Sequence, residues 1–149
     1  MTIIRVVQPG DVVIPDTREV FYNANESMTS GGEPLPGLGE VYYAAKNTEI
    51  TITAEVVNGD GDIQTQIDQT ALAFPPVLKL PVNKYIGGES GQVVDEVYFN
   101  ATLVGGILTA TGEIPTSGDW KLTTDRLNKS IEALNGDFKI ERKNITFLI

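Results

Sequence analysis

The segment Asn58-Gly59-Asp60-Gly61-Asp62 places side-chain oxygens at positions one, three and five of a calcium-loop pattern. The pattern then stops, because the sixth position is Ile63 where an EF-hand loop needs glycine, and the twelfth is Gln69 where it needs a bidentate glutamate. A hairpin turn between Val57 and Ile63 accounts for the same residues, since Asn, Asp and Gly tolerate positive φ. No metal site is therefore expected. Carboxylate pairs remain available for glycoside hydrolysis, which needs two Asp or Glu groups about 5–9.5 Å apart and no other catalytic residue type. With 20 Asp and Glu in 149 residues some such pair must exist, so its presence discriminates little. Asp95 and Glu96 point to opposite faces of an extended strand, which argues against that pair. Trp120, Tyr42, Tyr43, Tyr85 and Tyr98 are possible stacking platforms for sugar rings, although aromatics on a sheet more often pack in a core. Trp120, just ahead of a predicted helix, is expected to cover the sheet.

Much other chemistry is excluded by composition. The chain has no histidine and no cysteine, which removes the Ser-His-Asp triad, imidazole and thiolate metal ligands, thiol catalysis and disulfides. Walker loops, dinucleotide-binding glycine motifs and nucleophile elbows are absent from the sequence. No enzymatic activity and no cofactor is expected. Eleven Lys and Arg against 20 Asp and Glu leave a net charge of −9, which repels nucleic acid and anionic membrane. The charge is uneven: residues 1–120 sum to −11 and residues 121–149 to +2. No run is long enough to span a bilayer, and Met1–Arg5 lacks the start of a secretory leader. The reading is a chain with no nucleic-acid, membrane or small-molecule partner.

The elements that would position any site read as strands. β-Branched and aromatic segments alternate with Gly, Pro, Asn and Asp clusters, as in an antiparallel β-sandwich, immunoglobulin-like or jelly-roll-like. Predicted strands are Thr2–Val7, Asp11–Ile14, Glu19–Asn23, Glu49–Val57, Asp62–Asp68, Val77–Ile86, Asp95–Val104, Ile107–Ile114, Phe138–Glu141 and Asn144–Ile149. Gly105-Gly106 can supply the positive φ angles of a tight turn, setting Leu103 opposite Leu108, Ala101 opposite Ala110, Phe99 opposite Gly112 and Val97 opposite Ile114. The other face then pairs Thr102 with Thr109, Asn100 with Thr111 and Tyr98 with Glu113. A slip by one residue would send the apolar set to solvent.

One C-terminal helix is predicted over about Thr124–Leu134, with Thr123 as N-cap, Asp125 in the first turn, a Leu127/Ile131/Leu134 stripe and a stop at Asn135-Gly136. Residues 26–40 are dense in Gly and Pro and read as one long loop carrying Leu35 and Leu38, apolar residues with no evident place in a core. The tail Asn144–Ile149 ends unusually apolar, and its alternation is out of phase with Phe138/Ile140. That shift requires a bulge or turn near Arg142-Lys143. All 149 residues read as a single domain.

The stretch 109–128 runs from a strand through a Ser117-Gly118-Asp119 turn into a Thr123-x-x-Arg126-Leu127-Asn128 helix. It resembles the C-terminal end of small structural proteins of tailed bacteriophages, where such a helix leads into a short closing strand. The resemblance implies a virion component of the tail or fibre-attachment region, with no catalytic residues to carry over. The expected function is therefore a non-enzymatic structural subunit of a phage virion, bound to other virion proteins and to copies of itself. Alternatives are a carbohydrate- or receptor-binding module, a capsid decoration protein, and a carboxylate glycosidase or lyase. Candidate interface residues are Leu35 and Leu38 in the loop, Arg126 and Lys129 on the helix, and Phe147, Leu148 and Ile149 in the tail.

Overall fold

The computed structural model describes residues 18–87 and 91–149, so the predicted strands Thr2–Val7 and Asp11–Ile14 lie outside the described residues. Among those described, the chain forms β1 (Glu19–Ser30), β2 (Glu33–Pro34), β3 (Gly37–Leu38), β4 (Val41–Tyr43), β5 (Glu49–Val57) and β6 (Leu78–Ile86). It continues as β7 (Gln92–Val104), β8 (Ile107–Glu113), β9 (Asp119–Leu122), α1 (Thr124–Ala133), β10 (Phe138–Glu141) and β11 (Ile145–Leu148). The fold is all-β with one C-terminal helix. The strands join one curled sheet in the order β10-β1-β5-β8-β7-β6-β9-β11-β4-β3, with β2 paired to β1. Most pairs are antiparallel; β1–β10 and β4–β11 are parallel.

The sheet curls through β6, which pairs with β7 along its whole length but with β9 only over Asn83–Tyr85. The strands beyond β6 thereby turn back over those before it, and Phe99 of β7 stacks on Phe147 of β11 at 6.2 Å. Strand β5 shows the expected alternation, with Ile50, Ile52, Ala54 and Val56 all buried. The β7–β8 register also follows expectation: Leu103 opposes Leu108, Ala101 opposes Ala110, Thr102 opposes Thr109 and Asn100 opposes Thr111. Leu103 is buried and Leu108 is half-buried against the core. A Cβ built on Gly112 would overlap the Phe99 ring, so that position needs glycine for space. Thr123 caps α1, its hydroxyl accepting from the Arg126 amide at 3.3 Å. The left-handed residue after the helix is Asn135, at φ 61°, while Gly136 leaves room for Ile131.

Three local expectations are corrected. Asp62–Asp68 is not a strand: Ile63 makes a single bridge to Val57, and the chain then turns because the Asp68 carboxylate accepts amides from Thr70 and Gly105 instead of leaving them to a ladder. Residues 26–40 are not one loop. Strand β1 continues to Ser30 past a register shift between Ala24 and Ser27, and Gly31, Gly32 and Gly39 take positive φ in two tight turns. Glycine density signals a long loop and a pair of tight turns equally well. Trp120 stands just ahead of the helix as expected, but it is itself part of the sheet, on β9 and fully buried between Lys84 and Phe147 in register, instead of covering the sheet from outside.

Candidate functional site

The last three strands of the sheet, β11, β4 and β3, carry an apolar outer face. Leu38 opposes Val41 across the β3–β4 turn, Val41 opposes Thr146, and Tyr43 opposes Leu148. Directly opposed residues share a face, as do residues two apart on a strand. Leu38, Val41, Tyr43 and Leu148 therefore point the same way, while Tyr42 and Phe147 point into the core and pack at 6.2 Å. Leu38 is 86% exposed and Tyr43 51%, and Val41 and Leu148 are half-buried. Alongside lies an open groove of about 500 Å³ lined by Leu35, Pro36, Tyr43, Ala44 and Leu148.

The hairpin that presents this face is tied down from several directions. The Tyr43 amide donates to Pro36 at 2.8 Å, Ala44 to Leu148 at 3.2 Å and Thr146 to Glu40 at 2.9 Å. Beneath the turn, Arg142 grips Glu26 through Nε at 2.8 Å and Nη2 at 2.6 Å, and reaches Glu40 from Nη2 at 3.0 Å. Its side chain is only 6% exposed. Burial works against the guanidinium charge, but the Glu26 and then Glu40 carboxylates outweigh it and hold the Arg142 pKa above the ordinary value. Tyr42 is pushed up by burial, then by the charges of Glu40 and Glu26. The bulge in β1, the β3–β4 turn and the connection from β10 to β11 thus meet at one buried ion cluster. The turn expected near Arg142-Lys143 is that connection, and it carries the chain from the β1 edge of the sheet to a place between β9 and β4.

Of the predicted interface residues, Leu35, Leu38 and Leu148 converge on this face and its groove. Phe147 does not belong to the set, because it is fully buried in the chain's own core. Ile149 is half-buried, and its backbone exchanges hydrogen bonds with Gly118 at 3.0 and 3.1 Å. Arg126 pairs with Glu96 of β7, and Lys129 with Asp125 on the exposed side of α1 at 3.1 Å. Both stand on the helix, away from the residues that form the groove. Tyr43 and Val41 were missed as interface residues; the signal was a three-residue alternation in Val41-Tyr42-Tyr43, too short to read as a strand. The Asn58 turn is as expected, its Oδ1 accepting from the Asp60 and Asp62 amides at 3.0 Å each. Compared with protein-family models, curated proteins and solved structures, the chain shows no significant match to any.

Proposed function

We propose that the chain is a non-enzymatic structural subunit of a bacteriophage particle, a tail or fibre-attachment component, held in place by the Leu38–Tyr43 face. The observation that carries the reading is the 86% exposure of Leu38 on a hairpin pinned by a buried Arg142 cluster. A rigid, exposed apolar surface marks an interaction site more readily than a mobile one, because binding then orders little. The phage assignment rests on the resemblance of residues 109–128 to phage structural proteins.

The ionisable groups fit a scaffold. Among the described residues, the carboxylates that shift, Asp68 and Glu96, shift downward, and the tyrosines that shift, Tyr42 and Tyr98, shift upward. Each moves away from neutrality, the opposite of what general acid–base catalysis needs.

Antibody raised against the purified chain should decorate phage particles from expressing cells at regular positions in electron micrographs. Particles that assemble normally without the chain, leaving it in the soluble fraction, would overturn the reading. The half-exposed Tyr43 beside the groove favours a carbohydrate-binding module as the second reading. Binding on a glycan array that is lost in Tyr43→Ala would establish it. Trp120 is too deeply buried to stack on a sugar.

A further inference from the structure

The strands on either side of the curl are joined by a narrow seam. Strand β6 meets β9 over three pairs, and at one of them Asn83 stands directly opposite Lys121. Directly opposed residues share a face, with Cβ atoms about 4.5–5.5 Å apart. Both residues are buried, Asn83 at 2% and Lys121 at 6% exposure. Glu96 of β7 opposes Asn83 from the other side and accepts from its Nδ2 at 2.5 Å, while Asn83 Oδ1 is buried and has no partner among the described residues. The Lys121 ammonium donates to Thr146 at 2.9 Å and pairs with Asp119 at 3.1 Å. A buried ammonium and a buried, half-satisfied carboxamide each cost stability. Joining them into one amide removes the charge and keeps the oxygen as an acceptor.

We propose that Lys121 and Asn83 form an intramolecular isopeptide bond between β9 and β6, with Glu96 as the proton relay. Rotation about the outer side-chain bonds of Lys121 carries Nζ from Thr146 on β11 to Asn83 on β6, its two cross-strand neighbours. Asp119 takes one proton from the ammonium, and the freed Nζ lone pair bonds to Asn83 Cγ. Glu96, already on Nδ2, moves a second Nζ proton to that atom. The Cγ–Nδ2 bond breaks and ammonia leaves, taking up the proton held by Asp119 to become ammonium. Nζ keeps one hydrogen, so the step balances without an oxidant or added reactant. Arg126 and the Tyr98 hydroxyl both bond to Glu96 and fix its position. The step happens once per chain, so it asks of Glu96 position more than a poise near neutrality. The bond locks the seam across which the sheet turns back on itself.

Intact-mass spectrometry of the denatured full chain tests it. The unaltered chain should be lighter than its sequence by one ammonia, and a tryptic digest should yield peptide 80–84 joined to peptide 85–126, uncut at Lys121. Lys121→Arg and Asn83→Ala should each show the full mass of their sequences, and Glu96→Gln should accumulate the bond far more slowly. Lys121→Arg, with unchanged circular dichroism, should melt below the bonded chain. A full sequence mass in the unaltered chain after prolonged incubation at neutral pH overturns the proposal. So does an ammonia loss that persists in Lys121→Arg or maps to another asparagine, such as a succinimide at Asn58-Gly59. Bond formation at an unchanged rate in Glu96→Gln overturns the part given to Glu96.

Discussion

Arg142 is the residue on which the candidate site most depends. Replacing it with Met leaves Glu26, whose side chain is 19% exposed, without its partner in a poorly solvated place. The cost of stranding such a charge is about 3–5 kcal/mol, much more than an exposed pair is worth. Urea unfolding of Arg142→Met should show that loss, and adding Glu26→Gln to it should recover part. The pH dependence has a definite sign. Amides of Gly105, Ala71 and Thr70 hold the Asp68 carboxyl below its ordinary 3.8, and the Tyr98 hydroxyl, with Asn83 and Arg126, holds Glu96 below 4.5 against the opposing effect of burial. Both groups bind protons more weakly folded than unfolded. Their stabilisation is complete above those ordinary values and is lost as pH falls through the folded-state values. Thermal melts from neutral to acid pH should therefore show a falling stability limb, and Asp68→Asn or Glu96→Gln should flatten it. Asn58 is already occupied by two backbone amides, so millimolar calcium or a chelator should leave the melting temperature unchanged.

At the scale of elements, the β7–β8 hairpin shows how packing and register depend on one another. Phe99 is fully buried and occupies the space a side chain at position 112 would need. Gly112→Ala should overpack the core at a cost of about 1–3 kcal/mol, read as a lower urea midpoint with an unchanged slope. Leu103→Ala removes a 6% exposed side chain beside the cavity under α1 and should cost about 2–5 kcal/mol. Leu108→Ala, from a half-buried site, should cost less. The hairpin was legible beforehand because turn chemistry and alternation agree in the same twenty residues. Strands β4 and β9 were not: at three and four residues they are too short to establish a period, and the strand that joins them in the sheet, β11, lies far off in sequence from both.

The whole molecule is closed by its C-terminus. Strand β11 lies between β9 and β4, with Ile145 1% exposed and Phe147 fully buried, each burial contributing roughly 1.5–3 kcal/mol. Deleting Ile145–Ile149 removes the strand that joins the β4–β3 hairpin to the sheet. The truncated chain should lose its cooperative melt and its β-sheet circular dichroism. A fully folded truncation would show that the sheet closes without β11. The apolar tail is therefore mainly a core element, and only Leu148 contributes to the outer face.

Turn glycines, helix caps and strand alternation act within a few residues, and the sequence by itself determined them: the all-β class, strand β5, the Leu103–Leu108 register and the capped helix after Thr123. What only the tertiary structure decided is which strands meet across long separations and which apolar residues face outward. Leu38 and Phe147 are equally apolar in the sequence, yet one is 86% exposed and the other fully buried. Arg142 and Glu26 are 116 residues apart and share a buried ion pair because the chain crosses from β10 to β11 beside the β1 bulge. Backbone preferences are set by neighbours in the chain, whereas strand partners are chosen by the mutual burial of surfaces that come together only when the sheet curls.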